Sequence, residues 1–184
     1  MRAIREHGAG VGMDDIAAAA GTSKTVVYRH FTDRARLYAA VAERVDATIM
    51  HNLSAAIGED SRRGRPQDGR TIIAAAIDAY LRLVQDEPEI YRFVVAAPIL
   101  ERPGADHSGA VSAHIAEQLV AVLESSLRAD GPRAQVWAHG VVGMVRAAAD
   151  DWLTRGAADS GLTREALTAL LTDLAWSGLS PAWT

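Results

Sequence analysis

The sequence predicts an all-α protein: an N-terminal three-helix head built round a helix-turn-helix, a long helix after it, and a larger C-terminal helical domain. Three observations lead there. Apolar residues recur at three- and four-residue spacing along most of the 184 residues, the period of a helix with one buried face. No stretch alternates apolar and polar residues over the length of a strand, and no longer unit repeats. One short run, Gly21 to Phe31 (GTSKTVVYRHF), reads as a tight turn feeding a helix whose polar side chains outnumber its apolar ones.

Composition bounds the possibilities. With 49% hydrophobic and 23% charged residues the chain is globular, and its length suits a small head, 1–46, followed by a larger domain, 47–184. No apolar run reaches the roughly 18 residues of a membrane span, and the first residues lack a signal-peptide hydrophobic region, so a cytoplasmic location is expected. The absence of cysteine removes disulfides, thiolate metal sites and cysteine nucleophiles together. The net charge of −4 is unevenly spread: residues 1–46 hold seven basic against six acidic side chains, which leaves −5 on the remainder.

The elements follow in order. Met1 to His7 has helical character, with Ala3 and Ile4 as its apolar residues before Gly8. Asp14 and Asp15 suit the first turn of a second helix, where the dipole favours anions. Its inward face would carry Ile16, Ala17 and Ala20. Gly21 can take the left-handed position that ends it. Thr22 and Ser23 then offer a side-chain oxygen to cap a third helix. From Lys24 to His30 the polar or cationic tips are Lys24, Thr25, Tyr28, Arg29 and His30, while Val27 and Phe31 are spaced to anchor the helix inward. A helix so short and polar adds little to a core, so its exposed face is expected to carry function. Two helices joined by a turn of about three or four residues containing glycine form the unit whose second helix enters the DNA major groove. Between Thr22 and Arg36, Lys24, Arg29, Arg34 and Arg36 stand against Asp33 alone.

Thr32 is expected to cap the next helix, with Asp33 in its first turn. Its stripe Leu37, Val41, Val45, Ile49, Leu53, Ile57 runs at a spacing of four until Gly58, long enough to bridge two domains. Gly58 to Gly69 has no apolar residue and reads as a solvated loop despite Arg62, Arg63 and Arg65. Arg70 to Gln85 is amphipathic, with Ile73, Ile77, Tyr80, Leu81 and Val84 on one face. Pro88 opens a short helix through Ala97, and Pro98 to His107 reads as a second loop. A helix from about Ser108 to Ala129 carries Val111, Ile115, Leu119, Val122 and Leu123. Asp130 and Pro132 open the next, on which Trp137, Val141, Met144, Ala148 and Trp152 share a face opposite His139, Arg146 and Asp150. Thr163 caps a last helix with Leu167, Leu170, Leu171 and Leu174. Apolar coverage on these last two helices is too wide for one short chain to cover, which points to self-association. Gly140, Gly143 and Ala147 are small enough for close helix approach.

The run Gly21 to Phe31, followed by Thr32, Asp33, Arg34, Ala35, Arg36 and Leu37, resembles the DNA-binding signature of the TetR family of bacterial transcriptional regulators. Glycine, capping serine, Tyr-x-His-Phe, a basic residue and a leucine at fixed offsets constrain the match far more than a bare helix-turn-helix. The similarity of sequence spans about residues 8 to 46; beyond it the likeness is one of length and helical pattern. Two departures stand out. The family carries a first helix of about four turns, of which this chain has the last turn or two. The resemblance therefore implies a late or misassigned start and a looser recognition helix. Gly12 stands where the family places a capping Thr or Ser, which removes a hydroxyl and a few tenths of a kcal/mol of capping.

Carried over by position, the resemblance implies that Lys24, Thr25, Val26, Tyr28 and Arg29 face the groove, after the cap Ser23, with His30 and Arg34 at the DNA backbone. Chemistry suggests the roles. Arg29 can bond bidentately to guanine, Thr25 can donate or accept, and Val26 suits a thymine methyl. Tyr28, His30 and Arg34 fit phosphate contacts that set register; the bland alternative is that Tyr28 and His30 plug the small core.

The resemblance further implies a two-fold dimer through a four-helix bundle, with operator half-sites about 34–36 Å apart and an unknown small-molecule effector that releases the operator. Candidates for the effector wall are Tyr80, Phe93, His114, Trp137, Arg146 and Asp150. For the aromatic residues the plainer role is core, for His114 a half-buried histidine, and for Arg146 with Asp150 a surface ion pair. No cofactor or metal is expected, since His107, His114 and His139 lie in separate segments. No Gly-rich phosphate loop, catalytic triad order or paired helical carboxylates suggest an enzyme. The competing reading is a dimeric helical small-molecule-binding protein that has lost operator binding.

Overall fold

The computed structural model describes residues 1–62, 68–101, 115–117, 119–120, 123–124, 129–156 and 161–179. Among them every regular element is a helix: α1 (Arg2–His7), α2 (Met13–Ala19), α3 (Lys24–His30), α4 (Arg34–Arg62), α5 (Gly69–Asp86), α6 (Pro88–Glu101), α7 (Gly131–Arg155) and α8 (Arg164–Leu179). Residues 115–117, 119–120 and 123–124 are also helical. No helix among the described residues is long and apolar enough to cross a membrane.

The chain divides into two compact units. The first comprises Met1–Asp46 together with α6, and the second Ala47–Asp86 with the residues after 111. In the first, Ala3, Ile4, Val11, Met13, Ala17, Val27, Leu37, Tyr38, Val41 and Val45 are buried, joined by Ile90, Tyr91, Phe93 and Val94 of α6. The Tyr38 and Phe93 rings lie 4.4 Å apart. Arg5 holds Glu87, the residue before α6, through both carboxylate oxygens, its Nε at 2.8 Å. That contact lowers the Glu87 carboxyl from its ordinary value of 4.5. Phe93, expected in an effector wall, is thus wholly buried in the core of the head unit. Periodicity marks it as apolar but does not say which core it enters.

In the second unit α8 packs along α5. Leu167, Leu171 and Ala175 are buried, as are Ile73, Ile77, Leu81 and Val84. Ion pairs Arg164–Asp78 and Arg70–Asp173 flank this seam. The Trp152 indole donates to the Leu162 carbonyl at 3.0 Å, which satisfies the one polar group of a buried ring.

Several boundaries differ from expectation. The cap of α4 is Asp33, whose carboxylate accepts from the Arg36 N–H at 2.8 Å; Thr32 is displaced from that role by one position. α4 continues through Gly58 to Arg62, where the Arg62 Nε donates to the Gly58 carbonyl at 3.0 Å. A single glycine costs a helix only about 1 kcal/mol, and a cation suits its last turn. Of the loop expected at 58–69, residues 63–67, with Arg63 and Arg65, lie outside the described residues. α6 likewise runs through Pro98 to Glu101, forfeiting the one ladder bond a proline nitrogen cannot donate. On α2 the inward residues are Met13 and Ala17, while Ala20 caps the helix and is exposed.

The buried stripe of α7 is Ala134, Ala138, Val145, Ala149 and Trp152, rotated from the expected Trp137–Val141–Met144–Ala148 line. Alanines let neighbouring helices approach closely, so the smaller residues turn inward. On α8, Leu170 and Leu174 are 56% and 59% exposed, and Ala175 takes the inward place. Two expected caps stand, Asp130 accepting from the Arg133 N–H at 2.9 Å and Thr163 from the Ala166 N–H at 3.2 Å, and Pro88 is the first residue of α6 as expected.

Candidate nucleic-acid interface and ligand cavity

The turn between α2 and α3 is fixed by backbone bonds that the sequence can meet only with glycine. The Gly21 N–H donates to the Ala18 carbonyl and the Thr22 N–H to the Ala17 carbonyl, each at 3.0 Å. This crossed pair is the Schellman closure, and it needs a left-handed residue. Gly21 supplies φ +64°. A Cβ there would meet nothing within 4 Å, so the demand is conformational. Gly21→Ala should cost about 1–2 kcal/mol, read as a lowered melting temperature; an unchanged one would show that the turn relaxes into another geometry.

At the start of α2, Gly12 is extended, and its N–H donates to the Asp15 carboxylate at 2.9 Å. Asp15 thereby supplies the reciprocal half of a capping box, offsetting in part the hydroxyl that Gly12 lacks. At the start of α3, the Ser23 hydroxyl accepts from the Val26 N–H at 3.4 Å. α3 then follows one rule of side-chain placement. Val27 is buried, Val26 half-buried, and Lys24, Thr25, Tyr28, Arg29 and His30 are exposed. Tyr28 is 43% exposed, so neither it nor His30 plugs the core.

Two of the cations are engaged within the head. Lys24 pairs with Asp14 across the turn at 2.8 Å, both largely exposed, and this hydrogen bond raises the ammonium pKa. The half-buried Arg34 donates through Nε to the Tyr38 hydroxyl at 3.0 Å and through Nη2 to the Ala9 carbonyl at 3.4 Å. Its guanidinium also lies 5.5 Å from the Tyr38 ring centre. Arg34 therefore ties α4 to the loop after α1. Spacing alone gave no sign of this, because Tyr38 one turn later reads simply as a core residue.

The second unit holds a cavity of about 90 Å³. Its walls are Ile49, Met50 and Leu53 of α4, Ile72, Ile73, Ala76, Ile77 and Tyr80 of α5, Ile115 and Leu119, and Val141, Val142 and Val145 of α7. Of the six expected wall residues, Tyr80 is there. Phe93 belongs to the other unit, and His114 lies outside the described residues. Trp137 is half-buried beneath Arg133, 5.5 Å from its ring centre, and is not in the wall. Arg146 and Asp150 form a partly exposed ion pair at 3.9 Å and do not line the cavity. The wall is drawn instead from aliphatic stripes that sequence marks as core; nothing in their periodicity shows which part of a stripe faces a void.

A glycine-closed turn joining two short helices, the second exposing polar and cationic tips, defines a helix-turn-helix DNA-binding protein. Comparison with known proteins gives the family. Residues 1–41 match the model described as bacterial regulatory proteins, tetR family. Residues 52–183 match that described as tetracyclin repressor-like, C-terminal domain. An uncharacterised HTH-type transcriptional regulator of Mycobacterium tuberculosis is 33% identical over 97% of this chain and 73% of its own length. The HTH-type transcriptional activator FasR of Mycolicibacterium smegmatis is 27% identical over 92% of this chain and 74% of its own. A TetR-like transcriptional regulator from Rhodococcus sp. RHA1 shares the fold with a TM-score of 0.65 at 22% identity, covering 97% of this chain and 92% of that one. This chain belongs to the TetR family of bacterial transcriptional regulators.

Proposed function

We propose that the protein is a ligand-controlled repressor that binds operator DNA as a homodimer and releases it when a small molecule occupies the cavity of the second unit. The observation that carries this is the side-chain placement on α3. A seven-residue helix held by Val27 leaves Lys24, Thr25, Tyr28, Arg29 and His30 exposed together. Residues 1–46 would bind DNA. Residues 47–184 would bind effector and partner, except that α6 packs with the head. Arg29 would read a guanine, Thr25 and Val26 neighbouring base edges, and Tyr28 and His30 phosphates. Arg34 would act chiefly by holding α4 in place, with Ser23 fixing the start of the recognition helix.

Self-association is supported by apolar side chains left exposed on the last two helices. Val136 is 70% exposed on α7, and exposed Gly140, Gly143 and Ala147 continue its line. Leu170 and Leu174 are exposed on α8. Effector control is supported by α4, one continuous helix whose residues 34–46 belong to the head and whose Ile49, Met50 and Leu53 line the cavity. A ligand moves the operator equilibrium only through unequal affinity for the free and DNA-bound states.

The experiment is titration of the purified chain against the DNA upstream of its own coding sequence over a range of salt. Specific binding with a steep salt slope is expected; indifference to every duplex at low salt would instead favour a ligand-binding protein that no longer contacts an operator. The relative named as an activator favours a second sign of regulation, and transcription from the bound promoter with and without protein decides between the two. The Lys24–Asp14 pair gives a finer check. Asp14→Asn frees the ammonium for phosphate, so binding to all duplexes should tighten at low salt and the slope of log K against log salt should steepen by about 0.9. An unaltered slope would mean that Lys24 makes no phosphate contact.

A further inference from the structure

We infer that the part of the effector buried in the second unit's cavity is an uncharged saturated alkyl body rather than a planar aromatic or ionised group. This rests on the proposal that the cavity is the effector site and adds the chemical class of what fills it. The wall is almost wholly aliphatic, and its isoleucines and valines outnumber all other residues in it. Among the described residues no charged, amide or histidine side chain lines it, and Tyr80 brings the only side-chain oxygen of that set. An ion placed among such groups would lose its hydration without a partner in exchange. A planar aromatic ligand would find, among the described wall residues, the Tyr80 ring alone for stacking. Branched side chains with few rotamers make stiff walls that grip a saturated skeleton by dispersion and hydrophobic contact. Arg146 and Asp150, which follow the wall residue Val145 along α7, pair with each other and are not in the wall.

The test is calorimetric titration of the full chain with straight-chain primary alcohols from butanol to decanol, beside phenol, indole and naphthol. Affinity should climb about fourfold per methylene until the cavity is filled and then level off, with each aromatic binding more weakly than the alcohol of equal carbon number. Ala76→Leu, which places an isobutyl group into the cavity, should weaken alcohol binding roughly tenfold while melting remains cooperative. Should that variant fold poorly, Val142→Ile, a single added methylene in the same wall, should give a smaller loss in the same direction. A flat dependence on chain length, aromatics bound as tightly as alcohols, or affinity unchanged in both variants would overturn the inference. Alcohols that bind with the stated slope yet leave operator affinity unchanged would uphold the cavity's chemistry and remove its regulatory role. Release of the operator by an ionised or aromatic molecule competing for the same cavity would do the reverse.

Discussion

Phe93→Ala is expected to lower stability by about 3–5 kcal/mol, the largest effect of any single truncation proposed for this protein. The ring is fully buried, lies 4.4 Å from Tyr38, and comes from α6 rather than from the helices of the head itself. Its loss would leave a void beside Tyr38, the residue on which Arg34 rests. For a chain of this size such a change should depress melting by roughly 10 °C. Operator affinity should fall with it, as the head loses its support. Tyr38→Phe is the companion variant, because it keeps the ring contact and removes only the acceptor for Arg34 Nε. A Phe93→Ala protein that melts at the wild-type temperature would mean that α6 does not pack in the head. Acid should act on the same junction. The Glu87 carboxyl is held below its ordinary 4.5 first by its hydrogen bond with Arg5 and then by that residue's charge. Its contribution is full above that value and is lost as pH falls through the lowered one. Partial exposure of both partners keeps it modest.

Arg29→Ala should weaken operator binding by about 1–3 kcal/mol, roughly tenfold or more, and relax preference at one base position while leaving binding to random duplex nearly unchanged. Arg29 projects from the last turn of α3, and its planar fork matches the two acceptors of guanine in the major groove. Arg34→Ala is the contrasting variant. It should lower thermal stability and weaken all sequences alike, since its guanidinium is engaged with Tyr38 and Ala9. Identical losses on specific and random DNA for both variants would sink this division between a reader and a support.

The head was the most legible part of the chain because its signals are local. A left-handed glycine, a serine cap and a Val27 anchor each act over three or four residues, and the structure keeps all of them. Where expectation slipped, the competing effect was tertiary. The expected stripe of α7 gave way to one richer in alanine. Leu170 and Leu174 turned outward while Ala175 turned in. The end expected at Gly58 gave way to four further helical residues. Periodicity assigns a face to within about one position, and close helix contact selects the small residues within that margin.

The sequence by itself determined the all-α class, the glycine-closed turn, the caps at Asp130 and Thr163, and the polar face of α3, because each depends on residue type and short-range spacing. Only the tertiary structure decided that α6 joins the head, that Arg34 is tied to Tyr38, and that Tyr80 rather than Trp137, Arg146 or Asp150 lines a cavity. Those facts depend on which apolar face meets which. Burial lowers free energy in proportion to area whatever the partner, so hydrophobic spacing records that a face is covered and carries no mark of what covers it.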